Sequence, residues 1–284
     1  MKEIRSPLRY PGGKSKAISK IMRYLPPSFS EYRESFVGGG SLFLHLKQKY
    51  PQRTFWINDL NDDLFCFWRC VQLNLKELIE EVWKIKNNSI AGKELFQYLT
   101  VVDISQLSDL MRATRFFVLN RISFSGTVDC GGFSQKAFEL RFTNSAIERL
   151  ASLEGLLDGV VITNFDYSET LKNSGEHVFI YLDPPYLAAT HSKLYGKRGD
   201  LHAAFDHGKF ANDLKNCKHQ WLITYDDSPE IRRNFEFAYI YEWEMQYGMN
   251  NYMQAKAAKG KELLITNYKV NQAEFKQLVL QEVL

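Results

Sequence analysis

Seven short runs rich in β-branched and aromatic residues punctuate this chain: Tyr32–Val37, Thr54–Ile57, Val160–Thr163, Val178–Leu182, Gln220–Thr224, Phe237–Trp243 and Glu262–Thr266. Several are separated by segments of helical periodicity, and that alternation predicts an α/β fold with a largely parallel sheet. Ligands of such sheets collect outside the carboxyl ends of the strands, so the residues that follow each run carry the functional signal. The fourth run ends in Asp183-Pro184-Pro185-Tyr186. Each proline removes an amide donor and fixes φ, which stops the strand and holds the Asp183 carboxylate at its end. A rigid acid followed by an aromatic face suits a flat substrate that carries an amino group.

At 284 residues the chain is long enough for one large α/β domain or a core with an inserted module. From about Asn61 to Glu154 helical periodicity dominates and β signals fade. This places an inserted lobe at residues 61–154, between the core segments 1–60 and 155–284. Its latter part, Phe124 to Ser134, is rich in Gly and Ser and reads as a turn-bearing loop or hairpin. No apolar run approaches the length of a membrane span, and the N-terminus lacks an export signal, so the cytoplasm is the default location. Cys66, Cys70, Cys130 and Cys217 show no paired spacing and no histidine partners, which predicts free thiols and no metal site. A net charge of +3 permits nucleic-acid binding without requiring it.

Three further strand ends carry candidates. After the first run, Phe36-Val37-Gly38-Gly39-Gly40-Ser41 leads into an apolar helix start, a turn that a ligand could approach closely. After the second stands Asp59, about twenty positions on, where an acid accepts from ribose hydroxyls or else caps the next helix. After the third stands Asp166, either an acceptor for an exocyclic amine or a helix cap. Near the N-terminus, Tyr10-Pro11-Gly12-Gly13-Lys14 is either a plain turn with a solvated lysine or a turn folded over a ligand, with Tyr10 as its aromatic surface and Lys14 as a donor.

Taken in order, these motifs resemble the Dam-type family of DNA adenine-N6 methyltransferases (D12 class, alpha group). The aromatic residue before x-Gly-Gly-Lys, the Asn58-Asp59 pair and Asp183-Pro184-Pro185-Tyr186 match the family pattern. Phe36 to Gly40 match its glycine turn, with Ser35 in place of proline, and Glu262 to Tyr268 resemble its closing strand. The resemblance implies a class I, Rossmann-like AdoMet-dependent methyltransferase fold with an inserted helical and hairpin target-recognition lobe. It implies S-adenosyl-L-methionine as cofactor, held by Tyr10, Lys14, Phe36, Gly38, Gly40, Asp59, Asp166 and Asp183. It also implies site-specific methylation of adenine N6 in double-stranded DNA, and it allows a cognate restriction endonuclease as a companion.

The residues permit a mechanism for that activity. Adenine N6 is a poor nucleophile because its lone pair is delocalised into the ring. Asp183 can accept one N6 hydrogen and the Pro184 carbonyl the other, while Pro185 stiffens the turn and Tyr186 stacks on the base; alignment then supplies much of the acceleration. The base must leave the duplex, at a cost of a few kcal/mol. For DNA contacts the sequence offers Arg112, Arg115, Asn120 and Arg121, interleaved with phenylalanines expected to be mostly core, together with Ser125 and Asp129 in the loop and Lys193, Lys197 and Arg198 after Tyr186. Family members that read GATC carry an Asn-Gly turn followed shortly by a basic residue. Here Ser125-Gly126 is followed by Asp129, so GATC is not assumed. Rival readings are an amino-methyltransferase for RNA, protein glutamine or cytosine N4, and a catalytically idle DNA-binding protein of the same fold.

Overall fold

The computed structural model describes residues 3–88, 91–187, 205–246 and 259–270, and of residues 129, 244–246 and 259–260 the backbone alone. All seven β runs read from the sequence are strands: β1 (Glu31–Glu34), β2 (Thr54–Asn58), β3 (Val161–Thr163), β4 (Val178–Leu182), β5 (Gln220–Asp226), β6 (Tyr239–Gln246) and β7 (Lys259–Thr266). They form one sheet in the order β3-β2-β1-β4-β5-β7-β6. The first five are parallel, and β7 runs antiparallel between β5 and β6. The first strand is shorter than expected, because the chain leaves the sheet after Glu34. Its Val37 amide bonds Asn58 O at 2.9 Å, and the Gly40 amide closes a turn on Val37 O at 2.7 Å.

Strand parity sorts the side chains into two cores. Tyr32, Phe55, Phe179, Tyr181, Leu222 and Leu264 face one side of the sheet. Val178, Ile180, Leu182, Trp221, Ile223, Tyr225, Leu263 and Ile265 face the other. Continuous apolar runs such as Val178–Leu182, buried at every position, are what a strand covered on both faces requires. The order places β1 between β2 and β4, so the chain switches direction across the β1–β4 pair and opens a crevice at the carboxyl ends of both strands.

Helix α1 (Ile18–Ile21) lies in the N-terminal segment and α2 (Ser41–Lys49) follows the glycine turn. Between β2 and β3 the described chain is helical: α3 (Asp62–Leu73), α4 (Leu75–Asn88), α5 (Gly92–Val101), α6 (Asp109–Ile122), α7 (Gln135–Arg141) and α8 (Asn144–Ala151). Their starts are set by side-chain caps that satisfy otherwise orphaned amides. Asn61 accepts from the amides of Asp63 and Leu64, Ser108 from Met111 and Ser134 from Ala137. The apolar core of the first sheet face continues into these helices. Phe67 stacks on Phe117 at 6.0 Å, and Trp68 meets both Phe67 and Phe43 edge-on. The insertion is therefore continuous with the core beneath it. Helix α9 (Tyr167–Lys172) follows β3, and helix His207–Lys215 precedes β5.

Candidate active site

The carboxyl ends of β1, β2 and β3 are tied together by one buried side chain. Asn58 donates from Nδ2 to Ser35 O at 3.1 Å and Phe165 O at 2.9 Å. Its Oδ1 accepts from Thr163 Oγ1 at 2.8 Å and from the Phe165 amide at 2.9 Å. The loops that leave these strands are thereby fixed around a cavity of about 560 Å³, a size suited to a nucleoside-bearing ligand.

Every one of Tyr10, Lys14, Phe36, Gly38, Gly40, Asp59, Asp166, Asp183, Pro184, Pro185 and Tyr186 lines this cavity. Gly38 and Gly40 adopt φ of 47° and 64°. What fills the space a Cβ would need is the protein itself: on Gly38 it would lie 2.7 Å from the Tyr10 ring, and on Gly40 2.9 Å from Trp68. The glycines thus admit Tyr10 and Trp68 to the turn, a role that the sequence assigned to ligand approach alone. Ser35, which stands where the family pattern has proline, bonds Thr170 Oγ1 at 2.5 Å through its hydroxyl.

Asp59 does not cap α3, a role taken by Asn61. Its Oδ2 accepts from the Gly38 amide at 2.9 Å and its Oδ1 from the Asn61 amide at 3.0 Å, which aims the carboxylate along the glycine turn. Burial pushes this carboxyl up to about 6, against those two amide bonds. Asp166 does cap α9, accepting from the Ser168 amide at 3.0 Å, and it is exposed on the cavity rim.

Lys14 is buried, so the solvated-turn reading fails. Its Nζ lies 2.9 Å from Asp183 Oδ1, 3.1 Å from Gly12 O and 4.8 Å from the centre of the Tyr186 ring. Thr224 Oγ1 donates to the same Asp183 oxygen at 2.7 Å. Glu34 was not among the candidates, yet it lines the cavity and is 3% exposed, with the Tyr32 hydroxyl donating to it at 2.6 Å. Burial above all, and then the charges of Asp183 and Asp59, push its carboxyl up to about 8. The available signal was an acid at the end of a buried strand, immediately before a glycine turn.

The residues of this cavity fall within a family match. Residues 10–249 match the D12 class N6 adenine-specific DNA methyltransferases. The chain belongs to that family. It is 28% identical over 202 residues to the type II methyltransferase M.MjaIII of Methanocaldococcus jannaschii, covering 65% of this chain and 70% of that one. It is 24% identical over 283 residues to the type II methyltransferase M1.LlaDCHI of Lactococcus lactis subsp. cremoris, covering 92% and 94%. It is also 29% identical over 203 residues to a DNA adenine methylase of Vibrio cholerae, covering 66% of each. The chain is thus a DNA adenine-N6 methyltransferase, with the fold its motifs implied.

The inserted lobe of this methyltransferase corrects part of the DNA-contact reading. Arg115, Asn120 and Arg121 are buried. Arg115 Nε donates to Leu99 O at 2.6 Å, and Arg121 donates to Arg141 O and Pro7 O, each at 2.9 Å. Asn120 exchanges bonds with the backbone of Arg9, 2.9 Å from its amide and 2.7 Å from its carbonyl, and also reaches Gly126 O at 3.0 Å. These polar groups are committed inside the protein: Asn120 and Arg121 tie the loop and the N-terminal segment to α6, while Arg115 ties α6 to α5 and also reaches Asp63 at 3.4 Å. Burial draws the Arg121 guanidinium down to about 9. Arg112 is partly exposed and bonded to Asp63. Lys136, Arg141 and Arg149 are exposed.

The loop after α6 closes like a hairpin at its base. Ser123 bridges Phe133, and the Phe124 amide bonds Gly132 O at 2.9 Å. Phe124 stands 63% exposed beside it, whereas Phe116, Phe117 and Phe142 are core as expected. Ser125 adopts φ 54° and Val128 φ 53°. The side chain of Asp129 and the whole of Lys193, Lys197 and Arg198 lie outside the described residues. None of the four cysteines forms a disulfide, and among the described residues no helix is long and apolar enough to cross a membrane.

Proposed function

We propose that the cavity holds S-adenosyl-L-methionine and that the enzyme methylates an adenine swung out of double-stranded DNA onto Asp183-Pro184-Pro185-Tyr186. The observation that carries this reading is the placement of Asp183 on the same cavity as the glycine turn and Asp59. The donor set fits the cofactor. Two acids, Asp59 and Asp183, line a cavity that would receive a cation, and Phe36 and Phe165 supply apolar surface for a purine. When bound, the cofactor supplies an activated methyl on a sulfonium. Asp59 accepts from the ribose hydroxyls, Asp166 from the exocyclic amine, and the glycine turn faces the amino-acid end.

Asp183 and the Pro184 carbonyl accept the two N6 hydrogens, and Tyr186 stacks on the base. Together they hold the amino lone pair toward the methyl and stabilise positive charge as it develops on N6. Residues 61–154 form the recognition lobe, where the exposed Phe124 and the loop with Ser125 and Asp129 meet the duplex and Lys136, Arg141 and Arg149 contribute positive charge nearby. Two of the relatives carry type II methyltransferase names, which supports a cognate restriction endonuclease as companion.

The test is nucleoside analysis of mixed-sequence duplex DNA incubated with the purified enzyme and S-adenosyl-L-methionine. N6-methyldeoxyadenosine should form with the wild type and not with Asp183→Asn, while calorimetry shows both proteins binding the cofactor. Methylation of cytosine N4, or methyladenine undiminished by Asp183→Asn, would contradict the reading.

A further inference from the structure

The fourth and fifth strands pair in parallel with Tyr181 beside Leu222 and Leu182 beside Ile223. Continued by one rung, that register sets Asp183 beside Thr224. Tyr181, Asp183 and Thr224 share a strand parity and so a face of the sheet. Thr224 is fully buried, and its Oγ1 lies 2.7 Å from Asp183 Oδ1 and 2.9 Å from the Tyr181 hydroxyl. The carboxylate beside the Lys14 ammonium can only accept, so the single Thr224 hydrogen goes to Asp183. The Tyr181 hydroxyl must then donate to Thr224. The direction of the whole chain is fixed: Tyr181 to Thr224 to Asp183.

Asp183 Oδ1 consequently receives two donors, Thr224 Oγ1 at 2.7 Å and Lys14 Nζ at 2.9 Å, from opposite parts of the fold. No donor bonds Oδ2 among the described residues. One oxygen is anchored and the other is left for the substrate amine. A carboxylate on a free χ2 would sample orientations in which neither oxygen meets N6, and for a weak nucleophile held by two acceptors that loss falls on the chemical step. We infer that Thr224, oriented by Tyr181, is the positioning residue that locks the Asp183 carboxylate so that Oδ2 faces the amino group to be methylated. This rests on the reading of Asp183 given above and assigns the task to a residue outside the cavity lining.

The test uses three variants of the full chain. Thr224→Val keeps the shape and removes the donor, Thr224→Ser restores a hydroxyl, and Tyr181→Phe leaves Thr224 in place without its own donor. Single-turnover methylation is measured at saturating cofactor and DNA, with the dissociation constants of both measured separately. Thr224→Val should slow the single-turnover rate about 10- to 100-fold, the scale of a misplaced catalytic group, with both dissociation constants within about threefold of wild type. Thr224→Ser should recover the rate to within about threefold, and Tyr181→Phe should fall between the two.

A wild-type rate in Thr224→Val would overturn the inference while leaving the function intact. So would equal losses in the Val and Ser variants, which would point to packing, or a loss confined to the dissociation constants. If Thr224→Val does not fold, Tyr181→Phe decides, because a wild-type rate there overturns the relay. Failure of the wild type itself to methylate adenine would sink the functional reading and this inference with it.

Discussion

Asn58 shows how a polar residue in a buried position can be worth more to the site than to any ligand. It satisfies both its amide hydrogens and its carbonyl on three strand ends at once. Asn58→Ala should therefore cost about 2–4 kcal/mol, since several buried partners lose their bonds together. Urea unfolding measures this, and Asn58→Asp should not rescue it because the two donated bonds are still lost. Glu34 gives a pH signature. Its folded value, about 8, lies above the ordinary carboxylate value of 4.5, so the folded protein holds a proton that the unfolded chain releases. The neutral acid is thus favoured on folding, and stability falls as pH rises from about 4.5 to about 8. Glu34→Gln should flatten that decline, as read from thermal midpoints at pH 5 and pH 8. A decline of equal steepness in the variant would count against a neutral Glu34.

At the scale of elements, the loop after α6 and the glycine turn after β1 are joined through the N-terminal segment. Gly126 has φ 79°, and a Cβ there would stand 2.3 Å from the Arg9 carbonyl. Arg9 is clasped by Asn120, and the next residue, Tyr10, packs on Gly38 and Gly39. Gly126→Ala should weaken cofactor binding several-fold as well as DNA binding, although Gly126 does not line the cavity. Gly132→Ala, where a Cβ meets nothing within 4 Å, is the control that should change neither. Titration of each variant with cofactor in the absence of DNA reads the difference. The strands and most of the cavity residues, though not Glu34, were legible in the sequence because both follow local rules: apolar runs, proline stops and acids at strand ends. Arg115, Asn120 and Arg121 were misread for the opposite reason. Their carbonyl partners lie 6 to 114 positions away, all but one of them 16 or more, and a basic residue that faces a distant carbonyl looks in sequence like one that faces phosphate. The glycine turn was half legible, since three successive glycines mark it in the sequence but the Tyr10 and Trp68 rings that fill the space at Gly38 and Gly40 arrive from elsewhere.

For the whole molecule, the sheet order explains why motifs scattered from Tyr10 to Tyr186 converge. The switch between β1 and β4 sets the glycine turn beside Asp183, and the adjoining β2 and β3 bring Asp59 and Asp166 to the same rim. The helices inserted between β2 and β3 carry the lobe we propose for DNA recognition, and their core continues that of the sheet. The measurement that bears most directly on the central claim is modification-sensitive sequencing of genomic DNA from a host free of adenine methylation that expresses either the intact chain or Asp183→Ala. The structure predicts N6-methyladenine at a defined short motif with the intact chain and none with the variant. Unmodified adenine in both hosts, with the intact protein folded and loaded with S-adenosyl-L-methionine, would contradict it.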